Sequence, residues 1–112
     1  MNLIIHLIAG VALAGTICLI FKSLRNKKEF LNMALWFSAA NLIDIDHLLA
    51  NPIYNPLRCS INFHPLHSWF MLPIYAAGLL HKKTRYLSVG LVLHIALDSI
   101  DCTLIAKNIF PY

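Results

Sequence analysis

Nine histidine and aspartate side chains in this sequence have the types and spacing that bind divalent metal ions. In chain order they are His6, Asp44, Asp46, His47, His64, His67, His94, Asp98 and Asp101. Residues three or four apart lie on one face of a helix. That spacing occurs in the pairs Asp44 and His47, His64 and His67, and His94 and Asp98. Because imidazole nitrogen and carboxylate oxygen are typical zinc ligands, the pattern predicts a divalent metal site, with zinc the expected ion.

The nine residues divide into predicted ligands and predicted catalytic groups. The predicted ligands are His6, Asp44, His47, His64, His67, His94 and Asp98. Since one zinc ion takes four ligands, seven candidates predict either several ions or ligands supported by hydrogen-bonded neighbours. Asp46 and Asp101 are predicted to orient a water molecule or accept its proton. On an ideal helix Asp46 points away from Asp44, so it joins the site only where the helix unwinds, or it accepts a hydrogen bond from a histidine.

The composition predicts the kind of element that carries these residues. The 112-residue chain, long enough for one domain, is 59% hydrophobic and 12% charged, and its mean hydropathy is +0.68. A soluble protein of this size cannot bury so much apolar surface. We therefore predict a single integral membrane domain over residues 1–112.

Four apolar runs predict an all-α membrane bundle of four helices, at about 3–21, 30–50, 65–80 and 86–106. A helix crosses the hydrocarbon with about 20 apolar residues, and helices satisfy their own backbone hydrogen bonds there. The third run is short and contains Pro73, which predicts a kink or local thinning of the bilayer. Gly10, one turn from His6, predicts a close approach between helices.

The basic residues predict the orientation of the bundle. Seven of the nine lysines and arginines lie in the loops after the first and third runs: Lys22, Arg25, Lys27, Lys28, Lys82, Lys83 and Arg85. By the positive-inside rule these loops face the cytoplasm, so both termini face the periplasm of a bacterial inner membrane. Such loop clusters indicate no nucleic-acid partner. The alternating helices then bring all nine metal-binding candidates into the outer leaflet, where a metal ion would neutralise the buried acids.

Two cysteines, Cys59 and Cys102, are predicted on the outer side, where oxidation is allowed. A disulfide between them and metal ligation by either one are both open interpretations. Cys18 is predicted to be a small packed residue of the first helix.

The motif order resembles a known family. His6, IDIDH (43–47), HPLHS (64–68) and HIALD (94–98) resemble the YdjM-type membrane-bound metal-dependent hydrolases, which carry Pro-Asp-x-Asp-His, His-Arg-Gly-x-Thr-His-Ser and His-x-x-x-Asp motifs. That family is similar in pattern to the zinc-dependent phospholipase C and P1 nuclease group. Here Ile43 replaces the proline, the histidines of HPLHS are three apart rather than five, and the motif arginine is missing. The chain also resembles small bacterial membrane proteins with DHLLA, RCSI, FHPLHS and DxxDC motifs.

Together the site and the resemblance imply a membrane-embedded, metal-dependent hydrolase of an ester or phosphoester, with one or more divalent ions. The predicted depth favours a lipid or lipid-linked substrate. The alternatives are a non-enzymatic metal-binding protein, an ion or proton transporter, or a metal that only holds the helices together. The sequence leaves the oligomeric state open, a homo-oligomer included.

Overall fold

The computed structural model describes residues 3–52 and 58–107, and in these ranges it contains helices and loops but no strand. The four α-helices are α1 (Leu3–Ile20), α2 (Lys27–Ala39), α3 (Leu72–Ala77) and α4 (Arg85–Ala106). Five 3₁₀ helices connect or extend them, at Lys22–Leu24, Ala40–Leu49, Pro65–His67, Trp69–Met71 and Gly78–Leu80. The predicted all-α class with four helices is therefore confirmed.

The second apolar run is helical but not uniformly α-helical. Helix α2 begins at Lys27, three residues before the predicted start, because the side chain of Asn26 accepts a hydrogen bond from the backbone N–H of Glu29 (2.9 Å). At Ala40 the chain tightens into a ten-residue 3₁₀ helix that ends at Leu49.

The third apolar run is a series of short helical segments. Ser68 has extended backbone angles (φ −81°, ψ 150°) and separates the first two turns. Pro73 lies in the first turn of α3, where its missing N–H leaves no helical hydrogen bond unmade. The break therefore lies at Ser68, and Pro73 starts a helix rather than kinking one.

Two glycines let α1 and α4 approach α2 closely. A Cβ atom added to Gly10 would lie 3.3 Å from Phe37 Cβ, which bears out the close approach predicted there. A Cβ atom on Gly90 would lie 2.9 Å from both Phe37 Cα and Ala40 Cβ. Helix α2 therefore packs between α1 and α4, and α3 packs on α4.

The interior is divided into an apolar and a polar half. Ala14, Cys18, Met33 and Phe37 form the buried apolar cluster. The buried residues outside this cluster are mostly polar: His6, Asp46, His64, His67, Ser88, His94, Asp98 and Asp101. Both α1 and α4 run through the two halves, so each contributes to the core and to the polar cluster.

Arginine side chains cap helix ends in the half of the molecule that carries the basic loops. Arg25 Nε donates to the carbonyl of Cys18, near the end of α1, at 3.2 Å. Arg85 Nε donates to the carbonyl of Leu79 at 3.2 Å. A cation next to unpaired carbonyls also interacts favourably with the helix dipole.

Two of the described helices are long and apolar enough to cross a membrane. They are Leu3–Ile20 and Arg85–Ala106, with mean hydropathies of 2.5 and 1.7. At 1.5 Å per residue they are about 27 and 33 Å long, close to the hydrocarbon thickness of about 30 Å. The segment Trp69–Leu80 is apolar but shorter.

Candidate metal centre

The 3₁₀ helix Ala40–Leu49 presents three polar residues in one row. Residues three apart eclipse one another in a 3₁₀ helix, so Asn41, Asp44 and His47 lie on the same side. Each of the three is half-buried. Such helices rarely exceed four residues, and an uninterrupted run of ten is unusual. Its regular three-residue repeat keeps this row turned toward one side of the molecule.

The short turn Pro65–His67 carries a fully buried histidine. Asp46 Oδ2 accepts a hydrogen bond from the backbone N–H of Leu66 at 2.8 Å. Tyr75 Oη donates to the carbonyl of the same residue, also at 2.8 Å. These bonds fasten the turn to the 3₁₀ helix on one side and to α3 on the other, and they place His67 between Asp44 and Asp46.

Helix α4 supplies the other two members of the cluster. His94 and Asp98 are four residues apart and face the same way, as their spacing predicts. Both are buried, with 2% and 3% of their surface exposed.

Two nitrogen and two oxygen atoms from these elements converge on one point. His67 Nε2 lies 3.1 Å from Asp44 Oδ1 and 3.3 Å from Asp98 Oδ2. His94 Nε2 lies at the same two distances from the same two atoms. The two Nε2 atoms are themselves 3.1 Å apart. A tetrahedral ion with bonds of about 2.0–2.2 Å separates its ligand atoms by about 3.3–3.6 Å. The observed separations of 3.1–3.3 Å lie at or just below this range, so the cluster could hold a metal ion.

The outer atoms of the two imidazoles also have defined partners. His67 Nδ1 lies 3.2 Å from Asp46 Oδ2, and His94 Nδ1 lies 2.8 Å from Asn41 Oδ1. Since both partners are hydrogen-bond acceptors, each Nδ1 carries the proton and donates it. In the neutral imidazole each Nε2 then directs its lone pair at the shared point, which is how histidine binds a metal.

The second oxygen of Asp98 is held from α1. Asp98 Oδ1 lies 3.2 Å from His6 Nε2, and both side chains are buried. The His6 ring also lies against the ring of His94, with centroids 4.2 Å apart. His6 therefore supports Asp98 from behind and is not one of the four converging residues.

A second group of side chains borders the cluster. His47 Nδ1 donates to the carbonyl of Asp44 at 3.1 Å and lies 3.2 Å from Asp46 Oδ1. Its Nε2 is 3.4 Å from Ser60 Oγ. The ring of His64 stacks on that of His47 at 3.9 Å. Burial and, next, the adjacent His47 lower the pKa of His64 below its ordinary value, which favours the neutral imidazole.

The nine sequence-predicted residues thus occupy four kinds of position. Asp44, His67, His94 and Asp98 share one point, His6 and Asp46 lie behind members of that set, and His47 and His64 lie beside it. Asp46, His47 and His67 also offer ligand atoms within 4.8 Å of one another. Asp101 is buried on α4 but belongs to neither group among the residues that the structure describes.

Asn41 contacts His94 and was not among the predicted site residues. Its signal in the sequence is its position three residues before Asp44. That spacing places the two side chains in one row only if the segment is a 3₁₀ helix.

A disulfide joins the loop before the site to α4. It links Cys59 to Cys102. The disulfide interpretation of these two cysteines is therefore confirmed over metal ligation. Cys18 is a buried free thiol, in agreement with its predicted packing role. The bond holds Ser60, and with it the contact to His47, next to the polar half of α4.

Comparison with known proteins identifies a family but no activity. The model of a family of unknown function, DUF6122, matches residues 1–105. No curated protein and no solved structure matches the chain. The resemblance to the YdjM-type hydrolases therefore stays a prediction.

Proposed function

Since the chain belongs to the DUF6122 family, whose function is unknown, we propose a function from the site itself: a membrane-embedded hydrolase that depends on a divalent metal ion. The proposed ligands are Asp44, His67, His94 and Asp98. One observation carries this proposal. Two imidazole Nε2 atoms lie 3.1 Å apart and face two carboxylate oxygens, while both Nδ1 atoms face acceptors.

Zinc is the ion that this ligand set favours. Two nitrogens and two oxygens in a tetrahedral arrangement are typical zinc ligands, whereas magnesium and calcium prefer six or more oxygens. Two carboxylates also balance the charge of one divalent ion. That balance lowers the free-energy cost of burying the charged ligands in an apolar interior.

The distribution of polar groups supports a place in a bacterial inner membrane. Leu42, Ile45 and Leu48 form an apolar row of the 3₁₀ helix and expose 75%, 66% and 64% of their surface. Exposure of this extent is expected where lipid covers the protein. We propose that α1, α4 and the helical segments 27–49 and 65–80 span the bilayer. The basic loops then face the cytoplasm, and the site and the disulfide face the oxidising periplasm.

Among the described histidines and aspartates of the cluster and its border, Asp44 and His47 are the most exposed. Their side chains are 35% and 29% exposed, whereas those of His67, His94 and Asp98 are at most 4% exposed. An ester or phosphoester entering there would reach the ligand cluster next to His47. Because the apolar row Leu42, Ile45 and Leu48 lies on the same 3₁₀ helix, a lipid or lipid-linked substrate fits this entrance.

His47 is the residue that we propose accepts a proton from the attacking water. Its Nδ1 donates to the carbonyl of Asp44, so in the neutral ring the lone pair lies on Nε2, which faces Ser60 at the exposed side. Because four protein ligands would fill the zinc shell, an attacking water would have to replace the half-exposed Asp44 carboxylate on the ion. A zinc ion held by His67, His94 and Asp98 would then lower the pKa of that water and stabilise the negative charge that develops on the substrate. Asp46 positions His67 in this scheme, and the buried ring of His64 stacks on His47 and holds it in place.

The alternative that the four-ligand arrangement favours is a metal ion that holds the helices together. Four protein ligands complete a tetrahedral shell, and such closed shells are typical of structural zinc sites. The ligands also come from three separate segments of the chain. A non-enzymatic metal-binding protein would have this geometry without turning over a substrate.

Hydrolysis by the zinc-loaded protein decides between the two functions. Purified wild-type protein, His47→Ala and His81→Ala would be assayed in detergent and in liposomes with chromogenic carboxylic esters, chromogenic phosphodiesters and phospholipids. His81 is exposed in the loop at the other end of the molecule, so its substitution is the matched control. Loss of a general base lowers the rate by about 10²–10⁴-fold.

We expect His47→Ala to lose activity by that factor while it keeps its metal, and His81→Ala to keep both. If zinc-loaded wild-type protein hydrolyses none of these substrates but unfolds when the metal is chelated, the enzymatic function is contradicted. That result would support a purely structural role for the metal ion.

A further inference from the structure

We propose that Asn41 is a positioning residue that fixes the proton of His94 on Nδ1 and thereby commits His94 Nε2 to the metal. The inference rests on the metal site of the proposed function and assigns a role to a residue outside the ligand set.

The orientation of the Asn41 amide follows from its two contacts. Its Nδ2 donates to the carbonyl of Ser38 at 3.0 Å, and its Oδ1 lies 2.8 Å from His94 Nδ1. If the amide were turned around, Oδ1 would face the carbonyl oxygen of Ser38, and two acceptors would meet without a proton between them. The Ser38 carbonyl therefore holds Oδ1 toward the histidine.

The orientation of the amide in turn fixes the tautomer of His94. An amide oxygen can only accept, so His94 Nδ1 must be the donor. A neutral imidazole then has its lone pair on Nε2, the atom that lies 3.1 Å from Asp44 Oδ1 and 3.3 Å from Asp98 Oδ2. A lone pair that faces two carboxylate oxygens needs a cation between these atoms, either a second proton or a metal ion, and a bound metal ion would satisfy all three atoms at once.

The neutral charge of Asn41 distinguishes it from the partner of the other histidine. His67 has the carboxylate of Asp46 at its Nδ1, whereas His94 has an amide. Asp44, Asp46 and Asp98 already place three carboxylates around the proposed ion, so a further acid at position 41 would add negative charge beside the site. The amide supplies the acceptor without that charge.

Three variants separate the acceptor role of Asn41 from its packing role. Asn41→Leu keeps the approximate size and removes the acceptor. Asn41→Asp keeps an acceptor for His94 and removes the donor to Ser38. Asn32→Leu is the control, because Asn32 is an exposed asparagine on α2. Each purified protein would be titrated with zinc in competition with a chromophoric chelator, and the His94 tautomer would be identified by ¹⁵N NMR.

We expect Asn41→Leu to bind zinc about 10–100-fold more weakly than wild type, the usual effect of removing a ligand's hydrogen-bond partner. Asn41→Asp should bind at least as tightly as wild type, and Asn32→Leu should equal it. In wild type His94 should carry its proton on Nδ1, and in Asn41→Leu this preference should be lost.

Equal zinc affinity of wild type and Asn41→Leu would overturn the inference, as would equal losses in Asn41→Leu and Asn41→Asp. If wild type binds no zinc, the proposed metal function fails. The NMR measurement still decides the role of Asn41 in that case, because a wild-type His94 with its proton on Nε2 would contradict it.

Discussion

Asp46 shows how a single side chain organises the site without facing its centre. Its Oδ2 holds both the Leu66 N–H and His67 Nδ1, and its Oδ1 lies 3.2 Å from His47 Nδ1. A carboxylate behind a metal-binding histidine fixes the ring and raises its basicity. Asp46 therefore connects the proposed ligand His67 to the proposed base His47.

Asp46→Asn should weaken zinc binding by about 10–100-fold, because an amide is a poorer acceptor for His67 and one of its two polar atoms becomes a donor. The measurement is the zinc affinity from chelator competition. Glu29→Gln is the control, since Glu29 is bonded to Tyr86 at the other end of the molecule. Unchanged affinity in Asp46→Asn would show that Asp46 does not support the metal.

The sequence predicts side-chain positions well where the local helix is regular. The four-residue spacing of His94 and Asp98 placed both on one face of α4, and the structure agrees. The role of Asn41 could not be predicted, because it depends on a 3₁₀ helix and no residue pattern distinguished Ala40–Leu49 from an α-helix. The partner of Asp46 could not be predicted either, since His67 comes from a separate turn 21 residues away.

At the scale of elements, the site depends on how closely α4 approaches the junction of α2 and the 3₁₀ helix. Gly90 has no side chain and so allows this close approach, and His94 lies one turn further along the same helix. The ligands Asp44 and His94 come from the two elements that meet there. Their distance therefore depends on the glycine contact.

Gly90→Ala should destabilise the protein by roughly 1–3 kcal/mol, because the new Cβ would lie 2.9 Å from the backbone of Phe37 and from Ala40 Cβ. Gly15→Ala is the matched control, since its Cβ would meet only Phe30 Cε2 at 3.9 Å. Thermal unfolding in detergent gives the comparison. Equal melting temperatures for Gly90→Ala and Gly15→Ala would show that the helices do not touch at Gly90.

The apolar runs predicted the number of helical regions and the bounds of α1 and α4 to within about one residue. Long apolar runs without strong breakers specify such helices directly. The third run deviated because its polar beginning, HPLHS, bonds to Asp46 and to the loop rather than continuing a helix. Tertiary contacts of this kind are not encoded in local periodicity.

At the scale of the whole molecule, the chain separates an apolar half from a polar half. The apolar cluster of Ala14, Cys18, Met33 and Phe37 fills one half, and the histidines and aspartates fill the other. The Cys59–Cys102 disulfide lies in the polar half and the arginine caps in the apolar half. Alternating helix direction and the distribution of basic residues predict that these histidines and aspartates gather at one end of the molecule.

Metal analysis of the purified protein tests the central claim most directly. Wild type and His81→Ala, loaded with zinc and then dialysed, should each retain about one zinc ion per chain by elemental mass spectrometry. His94→Ala and Asp98→Ala should retain little, because each removes one of four ligands. Chelation should strip the wild-type protein, and added zinc should restore it. Wild-type protein that retains no metal, or the same retention in His94→Ala as in wild type, would contradict the account.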